Sequence, residues 1–357
     1  MNSPEPISTL VQFLTSSGAR IRLFDMGRRV VKIPRAHFLR FENNQTPYPT
    51  PLQRQAWLAL LFQQQKSSSE PFVWFLRFPL DEQAKLNLAA RDDFMHRLVE
   101  HLGSNLTDAN AADQIETALE DNPYGFKPRD DRLAIFHARI SRLLKKPASK
   151  YYPHALAYFK GDLGWDQWSF VGYQGIADIA ARLEEEENER LLIAALPQLP
   201  INPLEAICHC LENEKVSVKL AAALLSLTYF QLQREHPSSA VVAATVRGVS
   251  RSRSHKLQQQ LISDVLASPV SESAVVLAAI SGRAWGLLAE DSLAAAFLER
   301  LARNSEGQPF FDHCLADLLF IPGMREPLLK ALRAPARSQL LSQAVGGFFQ
   351  SLGGANR

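Results

Sequence analysis

Apolar and charged positions alternate twice near the start of the chain and then give way to long stretches of helical spacing. ARIRLFD (residues 19–25) and RRVVKI (28–33) each alternate and flank Met26-Gly27, which predicts a hairpin. Residues 6–17 place apolar side chains at helical intervals and stop at Gly18, which predicts a short amphipathic helix. Thr50-Pro51-Leu52-Gln53 reads as a helix start: the threonine caps, the proline takes the first helical position and the glutamine reaches back. WLALLF (57–62) is therefore expected on a helix. PFVWFLRF (71–78), behind the polar spacer QQQKSSSE, is the most strand-like run. Together these predict a small α+β module of about three antiparallel strands with helices on one face.

Beyond residue 87 the pattern is helical. Helices are predicted at 87–102, 108–120, 129–146 and 152–160, with Asn122–Pro128 a stiff aromatic linker that its two prolines keep from being helical throughout. Past residue 190 helices open at Pro203, Pro237, Pro269 and Pro309, 32 to 40 residues apart. Each interval holds two helices and two turns, and runs such as LAAALLSL, VVLAAI and SLAAAFLERL supply the small side chains that let helices approach. That period predicts an α-solenoid. GDLGWDQWSFVGYQG (161–175) interrupts the pattern with four glycines and two tryptophans. It reads as a join, with Trp165, Trp168, Phe170 and Tyr173 burying apolar area and the aspartates capping helix starts. The expected division is 1–103, an α+β module; 104–175, a helical linker region with an aromatic junction; and 176–357, an all-helical array. The fold class is mainly α.

Asn213-Glu-Lys-Val216-Ser-Val-Lys219-Leu-Ala221 resembles the second helix of a HEAT-type repeat, in which an acidic or amide cap precedes a valine, a basic residue and an alanine-rich face. The array over about 190–335 is HEAT-like on that basis. Across nearly its full length the chain also resembles a bacterial family known only as domain of unknown function 3549, through PFVWFLRFPLDEQAKLNLAARDDF (71–94), ALAYFKGDLGWDQW and the helical second half. That resemblance implies a bacterial, cytoplasmic protein and supplies no catalytic residue.

Composition changes little in this picture. A hydrophobic fraction of 46%, a charged fraction of 21% and a formal charge of +2 describe a globular chain with no global pull toward nucleic acid or membrane. The first residues lack a basic n-region, and no run of about 18 apolar residues occurs, so neither a signal peptide nor a membrane span is expected. Cys208, Cys210 and Cys314 are too few for a disulfide framework, and a cytoplasmic setting is expected.

Motifs exclude more than they assign. On a helix Cys208 and Cys210 point about 200° apart, so they cannot chelate one ion. His96 and His101 are five apart, about 140° around a helix, which fails the zinc-peptidase geometry. No phosphate-binding glycine loop and no GxSxG elbow occurs. Neither a cofactor nor a metal is expected. The one acid–base candidate is the pair Asp162 and Asp166 with Tyr173 and, upstream, His154, which could supply an acid and a base in an aromatic pocket.

Two basic patches remain. Residues 1–40 hold seven cations against Glu5 and Asp25. Period-two alternation puts Arg20 and Arg22 on one strand face, with Arg28 and Lys32 sharing a side of the next, a basic face able to meet phosphates or an acidic protein. The plainer reading is a solvated face that blunts an edge. Arg247, Arg251, Arg253 and Lys256 crowd a turn between two helices, where they could grip phosphate, or where Ser254 simply caps the next helix. Glu184–Glu187 with Glu189 is a solvated face or an acidic contact site. The expected function is a non-catalytic interaction protein, a scaffold or adaptor whose helical surface binds another bacterial protein. Nucleic-acid or ribonucleoprotein binding through the basic patches comes second, and an enzyme at 154–173 third.

Overall fold

A computed structural model describes residues 9–16, 19–64, 71–102, 122–185 and 187–354; the helix expected at 108–120 lies outside them. The chain divides into two compact units. The first runs to Arg129 and includes Phe320–Pro322, and the second comprises Asp130–Leu319 with Gly323–Arg357.

The first unit is built on an antiparallel sheet of four strands, β1 (Ala19–Asp25), β2 (Val31–Ile33), β3 (Gln55–Gln64) and β4 (Phe72–Pro79), in the order β2-β1-β3-β4. The hairpin expected from ARIRLFD and RRVVKI is β1–β2, with Leu23 opposite Ile33. The helix expected over WLALLF is instead the central strand β3. Leu58, Ala59, Leu60 and Leu61 are all fully buried, because β3 has a strand on each side and both faces covered. A strand buried on both faces loses its alternation and reads like a buried helix. Its entry is a two-residue turn in which Gln53 and Arg54 both have positive φ (53° and 58°) and Leu52 and Gln55 exchange backbone hydrogen bonds of 3.1 and 3.0 Å. That is type I′ geometry made without the usual glycine, so nothing in the residue types announces it.

Helices α1 (Leu10–Ser16), α2 (Arg35–Glu42) and α3 (Leu88–Leu102) cover one sheet face, where Phe41, Tyr48, Leu60, Trp74 and Phe94 form the core. The aromatic segment after Asn122 lies along β4: Phe126 donates its N–H to the Phe75 carbonyl and meets the Trp57 ring edge-on at 4.8 Å. Arg28 departs from expectation. It is 1% exposed and sits in the β1–β2 turn, not on the strand, with its Nε donating to the Pro51 carbonyl at 2.7 Å. Arg20, Arg22 and Lys32 do share a face, since Lys32 pairs with Phe24 in register, two residues along from Arg22.

Glu42, at the end of α2, is buried and accepts hydrogen bonds from the N–H groups of Leu10 and Val11 at the start of α1. Burial raises its carboxyl from 4.5 to about 7, against the opposing pull of those two donors and Arg91. Between those values the folded state binds more protons than the unfolded one, so this group's stabilisation is complete below pH 4.5 and is lost as pH rises through 7. The Glu42 carboxyl carbon is expected to titrate with a midpoint near 7 by NMR; a midpoint in the ordinary carboxylate range would refute this.

The second unit is helical: α4 (Asp130–Leu143), α5 (Tyr152–Lys160), α6 (Tyr173–Ala181), α7 (Asn188–Ala195), α8 (Ile201–Leu211), α9 (Val218–Leu232), α10 (Ser239–Val249), α11 (His255–Ala267), α12 (Ala274–Arg283), α13 (Asp291–Ala302), α14 (Gln308–Phe320), α15 (Arg325–Leu332) and α16 (Gln339–Gly354). From α4 to α13 each helix packs on the next but one, so α4, α6, α8, α10 and α12 form one layer and α5, α7, α9, α11 and α13 another. This is the stacking of an α-solenoid. Small residues allow it: a Cβ on Gly248 of α10 would stand 3.0 Å from Leu224 of α9 and 3.1 Å from the Cys208 sulfur of α8. Serines cap the helix starts, with Ser217, Ser238 and Ser254 accepting from the N–H three residues on. The cap of α9 is thus Ser217. Asn213, expected in that role, turns back and donates to the His209 and Cys210 carbonyls at the end of α8.

Residues 161–175 lie within this unit. Gly161 takes φ +84° to end α5, and Trp165–Phe170 form a 3-10 turn in which Trp165 meets Tyr158 edge-on at 5.6 Å. Trp165 and Trp168 are half-buried, whereas Phe170 is 73% exposed and contributes no junction core.

Candidate functional site

The α8–α9 corner, Glu212-Asn213-Glu214, gathers charge from across the stack. Glu212 ends α8 on its buried side with no exposed surface. Its carboxylate lies 2.7 Å from Arg283 Nε, 3.1 Å from Arg247 Nη1, 3.6 Å from Arg132 Nη2 and 3.5 Å from His209 Nε2. Those partners come from α12, α10, α4 and α8, all of one layer. Burial alone would raise the Glu212 carboxyl, but the guanidinium groups of Arg283, Arg132 and Arg247 outweigh it and hold it below its ordinary value.

On the other side of Asn213 a second cluster forms. Arg139 of α4 donates to the Asn213 carbonyl and pairs with Glu214. Arg251, from the α10–α11 turn, donates to the same carbonyl at 2.6 Å. Backbone bonds hold that turn to the corner: Val216 donates to the Arg251 carbonyl at 3.2 Å and accepts from the Arg253 N–H at 2.9 Å. Burial, followed by the nearby Arg139 guanidinium, lowers the Arg251 pKa. Glu214 has its carboxyl raised, because burial exceeds the pull of Arg139, Arg142 and Arg251. Above these residues opens a cleft of about 460 Å³. Lys215, Arg142 and Arg253 join Arg139 and Arg251 in its lining, opposed by Glu184, Glu189 and Glu214.

The second predicted patch therefore has a definite place. Arg247 is held on Glu212, Arg251 on Asn213 and Arg253 on Glu184, while Lys256 is exposed. Ser254 does cap α11, accepting from Leu257 at 3.3 Å. In the first unit Arg20 and Lys32 are exposed, Arg22 is half-buried and Arg28 is buried as described. Sequence reasoning missed Arg132, Arg139, Glu212, Glu214 and Arg283. One signal was available: Glu212 follows a buried cysteine–histidine–cysteine–leucine run at a helix end, where an unpartnered carboxylate is costly.

The acid–base candidates do not converge. Among the described residues no hydrogen bond or ion pair links His154, Asp162, Asp166 and Tyr173. His154 and Asp162 are exposed, and Asp166 accepts from Gln167. Tyr173 shares a hydrogen bond of 2.8 Å with His209 Nδ1. Burial lowers His209 to about 4, so the imidazole is neutral at pH 7. Burial likewise raises the Tyr173 hydroxyl and the Cys208 and Cys210 thiols. Thiols held protonated are poor nucleophiles. Among the described residues no three of His, Cys, Asp and Glu come together as metal ligands, and no helix is long and apolar enough to cross a membrane.

No curated protein and no solved structure matches the chain. The model for a protein of unknown function, DUF3549, matches residues 5–349, and the chain belongs to this family.

Proposed function

We propose that this member of the DUF3549 family is a non-catalytic interaction protein, a scaffold or adaptor that binds a protein partner through its helical unit. The observation that supports this reading is the cleft at the α8–α9 corner. Two of its five cations, Arg139 of α4 and Arg251 of the α10–α11 turn, are fixed on the Asn213 carbonyl, which gives a shaped, charged surface in place of convergent reactive groups. Stacked helical repeats commonly work this way, by displaying a preformed surface built from successive corners. Three buried free cysteines fit a reducing, cytoplasmic setting.

Affinity purification of the tagged full chain from its native cells, at low and moderate salt, tests the proposal. A partner in stoichiometric amount is expected, and repeated recovery of the chain alone would count decisively against it. A second reading, nucleic-acid binding, draws on the shared face of Arg20, Arg22 and Lys32 in the first unit. Binding to generic RNA or DNA that survives neutralising Arg20 and Lys32 would remove that face from consideration.

A further inference from the structure

At the mouth of the cleft the chain supplies its own anion. Glu184, at the start of the glutamate run, reaches Arg142 Nη2 with one oxygen at 3.1 Å and Arg253 Nη2 with the other at 3.2 Å. All three side chains are more than a third exposed, Glu184 at 68% and Arg253 at 58%. Bridges of this kind contribute little and exchange readily. Deeper in, the balance of charge is unfinished. Arg139 and Arg251 converge on one carbonyl oxygen, and Glu214 pairs with Arg139. Arg251 makes no ion pair with any described carboxylate and keeps only the backbone acceptor. Two guanidinium groups brought this close, with a carboxylate paired to only one of them, favour a further anion.

The lining indicates which anion. Glu189 is held in place by the Ser217 hydroxyl at 2.8 Å and Glu214 by Arg139, so two carboxylates stay in the wall. A polyphosphate backbone, charged at every residue, would run against them. Ala180 and Leu183 are the apolar members of the lining, and no aromatic ring is available to stack a base. A single carboxylate carried on a chain with its own N–H donors fits, and Glu184 demonstrates that geometry across Arg142 and Arg253.

We infer that the cleft is a receptor for an acidic side chain of a partner's peptide segment, with Arg251 and Arg253 as its anchors and Glu184 as the resident competitor that the incoming carboxylate displaces. This rests on the protein-interaction reading and names the partner's chemistry. Binding should weaken as salt rises, because the mouth is solvent-exposed.

Fluorescence anisotropy on the full chain tests it, with a labelled peptide of alternating glutamate and serine, its glutamine counterpart, and a labelled oligouridylate as probes. The acidic peptide is expected to bind saturably and the glutamine peptide not to bind. Arg251→Gln should weaken the acidic peptide about tenfold or more, as loss of a charged anchor does. Glu184→Gln should strengthen it by about two- to fivefold, in keeping with removal of a weak exposed competitor. Arg253→Gln, at an exposed position, repeats the Arg251 test where folding is not at stake, and circular dichroism confirms that each variant is folded. Absence of saturable binding even to Glu184→Gln, indifference to both arginine variants, or tighter binding of oligouridylate with the same arginine dependence would each overturn the inference. If the purified partner persists with Arg251→Gln and Arg253→Gln, the cleft assignment fails while the interaction reading stands. If no partner is ever recovered, that reading fails instead.

Discussion

Replacing Glu212 with alanine is expected to destabilise the second unit by about 3–5 kcal/mol, the usual cost of breaking a buried ion pair by removing one partner. The carboxylate has no exposed surface, and Arg283, Arg247, Arg132 and His209 surround it from three other helices and its own. Alanine would leave three guanidinium groups facing one another with their shared counter-ion gone. The structure could respond by turning Arg247 to solvent, since it is the most exposed of the three, but Arg132 and Arg283 are held close to the stack. Urea unfolding followed by circular dichroism measures the loss, and the thermal midpoint should fall by roughly 6–20 °C for a unit of this size. A loss below about 1 kcal/mol, the level of an exposed bridge, would mean that the cluster is solvated and is not a structural anchor. Combining Glu212→Ala with Arg283→Ala should cost less than the sum of the two, because each removes the same 2.7 Å contact.

How much of this was legible in the residues depends on how local the cause is. The β1–β2 hairpin, the strand at PFVWFLRF and the helix over 152–160 follow from near-neighbour patterning, and all appear where the pattern places them. The central strand β3 did not read as a strand. Its alternation is erased by burial on both faces, and the turn before it uses Gln53 and Arg54 at positive φ where glycine or asparagine would be expected. The stacking of the second unit was visible in its proline-marked period and its alanines. The α8–α9 corner was not, because its charges are brought together only by that stacking. Arg139 and Glu214 stand 75 residues apart, and each alone looks like an ordinary solvated side chain. The patch at Arg247–Lys256 was visible as a cluster of cations. What the residues could not disclose is that three of them are turned inward or across onto Glu212, Asn213 and Glu184.

The glycine-rich stretch at 161–175 carries the other large expected effect, and it separates two roles that glycine can play. Gly175 sits in the first turn of α6, where its N–H donates to the Gly172 carbonyl at 2.9 Å. Its backbone is ordinary, but space is not available: a Cβ there would stand 2.5 Å from the Tyr151 carbonyl oxygen and 2.8 Å from the Ala155 Cβ. Neither neighbour can step aside alone. The Tyr151 carbonyl already accepts from the Ala155 N–H in the first turn of α5, and Ala155 is fully buried. Gly175→Ala must therefore push α6 away from α5, and a loss of about 3 kcal/mol is expected, at the upper end of the usual cost of overpacking. Gly282→Ala is the control. That glycine lies in the last turn of α12 with nothing within 4 Å of the added methyl, so alanine should be neutral or stabilising by at most about 0.5 kcal/mol through its better helix propensity. Equal effects at the two positions, measured by urea unfolding, would mean that the close approach of α5 and α6 is not what requires glycine at 175. The expected contrast would make the stretch a packing contact between neighbouring helices, in which one missing side chain sets how closely they meet.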